Sequence, residues 1–157
     1  METENVCYTQ EVALEKAIEM ETKSFEAYRN AYFRIKESRT RDLLKDLALD
    51  ELKHKYILEK ALFEDAVMLD SSGKDEGPSM NLSIMLKEKP LSENSTDQDV
   101  MIFAIHEEKR AMDYYGKMAE QCTGAPMAEM FKELYKDEEN HLARLETLYE
   151  SVYMQEM

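Results

Sequence analysis

Tryptophan is absent from the 157 residues, and glycine (4), proline (3) and cysteine (2) are scarce. So little Gly and Pro leaves little material for the tight turns of an all-β chain. The abundance of Glu, Lys, Leu, Ala and Met favours helices instead. Cys7 and Cys122 form no CxxC pair, so a disulfide framework, an iron–sulfur cluster and a rubredoxin-type iron site have no support. Both cysteines are expected to be inert. No apolar run reaches the roughly 20 residues of a membrane span, and the opening METENVCYTQ lacks the features of a signal peptide. The expected location is the cytoplasm. Positive charge is also short: 20 Lys and Arg face 34 Asp and Glu, for a net charge of −14. Such a surface repels nucleic acid and anionic lipid, so neither is an expected partner.

What the chain does have is helical periodicity. Leu14, Ile18, Phe25, Tyr28, Tyr32 and Ile35 recur in threes, fours and sevens, which predicts a helix over about 10–37. Leu44, Leu47, Leu58, Ala61 and Leu62 predict a second over about 40–69, after a short break at 38–40. Turn-forming sequence follows from Asp70 to Pro78, then a short helix over 81–87, then loop from Pro90 to Asn94. The third helix, about 96–122, opens at a capping box, either Ser95 with Gln98 or Thr96 with Asp99. Gly124-Ala125-Pro126 stops it, and the fourth runs over about 127–153. Short loop, long crossover (about 70–95) and short loop form the connectivity of a ferritin-like four-helix bundle, all-α and a single domain over 1–157.

The second half repeats the first at an offset of 87 residues. Ala17-Ile18-x-x-Glu21 matches Ala104-Ile105-x-x-Glu108, Tyr28 matches Tyr115, and Asp50-Glu51-x-x-His54 matches Asp137-Glu138-x-x-His141. Two equivalent helical hairpins are therefore expected to pack about a pseudo-twofold axis, with matching residues meeting at its centre.

The acids sit where a soluble helix should be apolar. Glu21 lies between Ile18 and Phe25, Glu51 and His54 between Leu47 and Leu58, Glu108 between Ile105 and Met112, and Glu138 and His141 between Leu134 and Leu145. Burying unpaired carboxylates costs several kcal/mol each, and four together raise one another's pKa. Two divalent cations neutralise four carboxylates. In Glu-x-x-His the two side chains share one face, a turn apart, and offer an oxygen and a nitrogen to one ion. The expected metal ligands are thus Glu21, Glu51, His54, Glu108, Glu138 and His141. Asp50 and Asp137 are expected to accept a hydrogen bond from the other half's histidine, Asp50 from His141 and Asp137 from His54. Tyr28 and Tyr115 lie seven residues after Glu21 and Glu108. They could bond to ligand carboxylates or donate electrons, and plain core packing would serve as well. His106 is expected to be exposed and not a ligand. The 12 methionines read as adaptable core or interface filler.

These motifs together closely resemble the rubrerythrin-like branch of the ferritin-like superfamily, over nearly all the chain apart from the crossover. The resemblance implies a di-iron carboxylate oxidoreductase that reacts Fe(II) with hydrogen peroxide or dioxygen, and many such proteins are dimers. It implies two Fe ions per chain, with Zn or Mn possible in purified material. Rubrerythrins proper carry a rubredoxin domain with two CxxC pairs, which are missing here, so a separate electron-donor protein such as a rubredoxin is implied. They also carry an extra Glu three residues before the third-helix ligand, where this chain has Ile105. The remaining four Glu and two His look more like a bacterioferritin ferroxidase centre. Leu52 stands where bacterioferritin has its haem Met, so no haem is expected. A ferroxidase or iron-handling protein is the alternative reading, and a metal-stabilised interaction module without redox chemistry is a further one.

Overall fold

A computed structural model describes residues 10–64 and 78–154. Four helices make the architecture: α1 (Gln10–Tyr32), α2 (Ser38–Glu64), α3 (Asp97–Gln121) and α4 (Pro126–Tyr149). No strand occurs among the described residues. Antiparallel α1 and α2 form one hairpin and α3 and α4 the other; α1 lies beside α3, and α2 beside α4. None of the described helices is long and apolar enough to cross a membrane.

The break between α1 and α2 falls at 33–37, earlier than the expected 38–40. The carboxylate of Asp97, at the start of α3, accepts from the backbone N–H of Lys36 and Glu37. Glu37 in turn accepts from the N–H groups of Arg39 and Thr40 and from the Thr40 hydroxyl. These first amides of α2 have no partner within the helix, so the glutamate caps it. Residues 65–69, the expected end of the second helix, lie outside the described residues, as does crossover sequence 70–77.

The rest of the crossover is pinned to the α3–α4 hairpin. Glu146, fully buried on α4, accepts from the Ser79 hydroxyl and from the N–H groups of Met80 and Leu82 at 2.8–3.0 Å. The short helix expected over 81–87 is only a 3-10 turn, Leu82–Ile84. Asn81 adopts a left-handed φ of 56°, and the amides that would start an α-helix are spent on Glu146. Of the two capping boxes, Thr96 with Asp99 is the one formed. Gly124, at φ 92°, makes the turn into Pro126. Past Tyr149, α4 widens into a π turn, Glu150–Met154. Gly116 lets α3 and α4 approach closely, since a Cβ there would meet the Tyr135 ring at 3.0 Å.

The apolar interior falls into two layers. One holds Leu14, Ala17, Leu58, Tyr115 and Phe131; the other holds Tyr28, Leu44, Leu47, Met101 and Leu145. Cys122 is buried in the first layer and is disulfide-bonded. That corrects the expectation of an inert free thiol at this position. It shares that layer with Ala13 and Leu14 at the start of α1, the helix that the other cysteine precedes in sequence. Cys7 itself lies outside the described residues.

Candidate metal centre

Between the two layers the four helices bring six ionisable side chains into the core: Glu21 from α1, Glu51 and His54 from α2, Glu108 from α3, Glu138 and His141 from α4. All are at most 4% exposed. Their donor atoms fall into two overlapping groups. Glu21, Glu51, His54 and Glu138 form one; Glu51, Glu108, Glu138 and His141 form the other. Within each group, one donor atom per residue lies within 4.8 Å of all the others. Glu51 and Glu138 belong to both. Each group adds a Glu and a His of its own, so the sequence repeat has become a repeat in space.

Each imidazole is held from outside. His54 Nε2 lies 3.0 Å from Asp137 Oδ2, and His141 Nε2 lies 3.0 Å from Asp50 Oδ2. The carboxylates accept, so the Nε2 atoms carry the protons and each Nδ1 faces the cluster. His54 Nδ1 is 2.8 Å from Glu21 Oε2 and 3.4 Å from Glu138 Oε1. His141 Nδ1 lies 3.1 Å from Glu138 Oε1 and 3.2 Å from Glu51 Oε1. With its proton on Nε2, a neutral imidazole and a carboxylate would face each other as two acceptors. A cation between them removes the conflict.

The charges show the same strain. Burial, and then the charges of Glu51 and Glu108, push the Glu21 carboxyl well above its ordinary pKa. Burial, then Glu108, Glu51 and Glu21, do the same to Glu138. Glu108 is raised by burial and by Glu51. At Glu51 burial also opposes charge, but the two histidines outweigh it and its pKa is lowered. Burial works against a charged His54, yet the bond to Asp137 and the charges of Glu138 and Glu51 raise it to about 9. Protons thus gather where cations would sit.

The donor set fits metal on a further count. Both oxygens of Glu51 and of Glu138, Oε1 of Glu21, Oε2 of Glu108 and Nδ1 of His141 are buried with no hydrogen-bond partner. Buried polar atoms are normally satisfied, and seven of the nine left over among the described residues belong to this cluster. Oxygen and imidazole donors in this ratio suit iron, manganese or zinc.

A family model described as Rubrerythrin matches residues 12–149, nearly the whole chain. This chain belongs to the rubrerythrin family. No curated protein and no solved structure gives a significant match. Rubrerythrins hold di-iron centres, and the cluster lies inside the matched segment.

The two tyrosines behave differently. Tyr28 donates to Glu108 Oε1 at 2.7 Å, which leaves the other oxygen of that carboxylate for the cluster. Tyr115 is equally buried, but its hydroxyl has no partner. It stacks on Phe131, with ring centroids 6.2 Å apart, as a core residue would. His106 stands away from both donor groups. It is half-buried, against the expectation of exposure, because the crossover covers it: its Nε2 lies 2.6 Å from the Leu86 carbonyl. Sequence reasoning missed Glu146 as the clamp of the crossover. Its repeat counterpart Glu59 is only half-buried and pairs with Lys55. Nothing local marked the difference.

Proposed function

We propose that this rubrerythrin-family protein is a di-iron oxidoreductase that reduces hydrogen peroxide or dioxygen. The observation that carries the reading is the sharing of Glu51 and Glu138 between two four-donor groups. Glu21 and His54 would hold one iron and Glu108 and His141 the other, with Glu51 and Glu138 available to both. When bound, two Fe(II) ions supply the two electrons that convert peroxide to water with two protons, or dioxygen to peroxide.

The protein's own part is positioning. Asp137 and Asp50 fix the imidazole tautomers so that each Nδ1 lone pair faces inward. Tyr28 holds one oxygen of Glu108 and so limits how that carboxylate turns. The apolar layers on either side keep bulk water out, which strengthens every charge interaction within. The electrons that restore Fe(II) would come from a separate one-electron carrier such as a rubredoxin.

Ferroxidase chemistry is favoured by one observation. Ile105 is fully buried, so hydrocarbon fills the position where a rubrerythrin proper has its additional Glu.

Anaerobic Fe(II) titration of the apo protein, followed by rapid mixing with peroxide or with air, tests the proposal. Saturation at two irons per chain and faster oxidation by peroxide is the expected result. Faster oxidation by air with continued iron uptake would establish a ferroxidase instead. Binding without redox response would leave a structural metal site. Glu51→Ala or Glu138→Ala should abolish paired binding, whereas Glu21→Ala should spare the ion at His141.

A further inference from the structure

The twofold relation between the two hairpins fixes where the metal cluster lies nearest to solvent. The axis that exchanges Glu51 with Glu138 and His54 with His141 leaves the bundle at two ends. At the α2–α4 end it runs between the two stacked imidazoles, which Asp137 and Asp50 hold from outside. Along the bundle, the two apolar layers close the cluster off. The α1–α2 and α3–α4 seams are the close contacts within each hairpin. The α1–α3 end remains, and of the six donor residues only Glu21 and Glu108 come from those two helices.

A groove of about 360 Å³ opens at that end. Six of the residues lining it are three repeat pairs: Met20 with Glu107, Lys23 with Arg110, and Ser24 with Ala111. The groove therefore straddles the same axis as the cluster and lies over its middle. Ser24 and Ala111, 4% and 3% exposed, make the floor. Each stands three residues after a cluster carboxylate, Glu21 or Glu108, one turn further along the same helix. Both side chains are small, so little volume separates the groove from the cluster.

One hydrogen bond spans the floor. The Ser24 hydroxyl on α1 donates to Glu107 Oε2 on α3 at 3.2 Å. Glu107 Oε1 accepts from Arg110, whose guanidinium also donates to both oxygens of Glu88 at 2.8 and 2.9 Å. The crossover thus braces the carboxylate that closes the groove. The fold does not dictate these residue types, because the other half has Ala111, Met20 and Lys23 at the same places. A hydroxyl, a carboxylate and a guanidinium serve a small molecule that both donates and accepts hydrogen bonds. Hydrogen peroxide is such a molecule, whereas dioxygen donates none and gains little from a polar lip.

We propose that the α1–α3 groove is the entrance through which hydrogen peroxide reaches the metal centre, with Ser24 and Glu107 as its polar door. The choice of peroxide rests on the oxidoreductase reading above. The position of the entrance rests on the fold alone.

Azide binding to the Co(II)-loaded protein, followed by stopped-flow absorbance, tests the entrance without any redox chemistry. Ala111→Leu fills the floor, and Met20→Trp fills the groove from a half-buried position that leaves the floor packed as it is. Both variants should still bind two Co(II) per chain. The azide association rate should fall about tenfold or more in each, because entry then waits on a side-chain movement. Dissociation should slow by the same factor and leave Kd as in wild type, which a distorted site would not do. Association within twofold of wild type in both variants, or a loss carried by Kd, would overturn the proposal. So would equal slowing by Ala143→Leu, which narrows the groove between α2 and α4 instead. With Fe(II) in place of Co(II), oxidation by peroxide should slow by the same factor, and an unchanged rate would overturn the assignment to peroxide. Wild-type iron that ignores peroxide, while azide still enters here, would refute the oxidoreductase reading and leave the groove as the route inward.

Discussion

His54 and His141 stack across the centre of the bundle with ring centroids 5.7 Å apart and planes 19° from parallel. Surrounding carboxylates raise the pKa of both. Without metal both rings therefore tend toward the cation, and two stacked imidazolium rings repel. With metal held at each Nδ1 the rings would be neutral, each would donate its Nε2–H to Asp137 or Asp50, and the stack would cost little. The same contact would be a source of stress without metal and a brace with it.

Metal removal should therefore destabilise the fold. Two ions held at 100 times their dissociation constants stabilise by about 5 kcal/mol together. For a chain of this size that corresponds to roughly 10–20 °C in Tm. Calorimetry before and after chelation checks this, and equal melting temperatures at neutral pH would count against a central site.

The apo protein should lose stability as pH rises. Glu21, Glu108 and Glu138 bind protons more tightly folded than unfolded. Their contribution is present below the unfolded carboxyl pKa and declines above it. His54, raised to about 9, contributes fully below about 6.5 and loses that contribution as pH climbs through about 9. Glu51 and Asp50 are lowered, so their contribution is lost only in acid. Between neutrality and mild alkali His54 loses its proton and no lowered group changes, so the apo Tm should fall. Metal-loaded protein should hold a flatter profile. Urea melts at several pH values decide it, and an apo protein that gains stability toward pH 9 would contradict the assignment.

Asp137→Asn should weaken metal at the His54 side by 10- to 100-fold, and Asp50→Asn should do the same at the His141 side. Competition with a chelator of known affinity measures both. An effect below twofold would mean that the aspartates do not orient the imidazoles.

The tyrosines should separate cleanly. Tyr28→Phe strips Glu108 Oε1 of its buried partner, at a cost of about 1–3 kcal/mol in the apo protein. Tyr115→Phe removes a hydroxyl that bonds to nothing and should be close to neutral. Denaturant midpoints compare them, and equal losses would show that Tyr115 has a hydrogen-bond partner in solution.

Much of this was legible in one dimension because the chain repeats itself. A carboxylate on an apolar stripe is conspicuous, and the offset that matches Glu21 to Glu108 also implies that Asp50 meets His141 while Asp137 meets His54. Legibility failed where a partner lay far along the chain. The helix break at 33–37 depends on Asp97, some 60 residues on. The burial of His106 depends on Leu86, and the 3-10 turn at 82–84 on Glu146. The inequality of Tyr28 and Tyr115 was invisible, since both sit at the same place in the repeat. Hydrogen-bond geometry, not residue type, distinguishes them.

The central claim is that Glu51 and Glu138 serve two ions at once. X-ray absorption at the iron edge of the Fe-loaded protein tests it most directly. The account predicts an iron–iron distance of about 3.5–4 Å, within a shell of oxygen and nitrogen ligands and no sulfur. Iron that shows no neighbouring iron at full loading would contradict it.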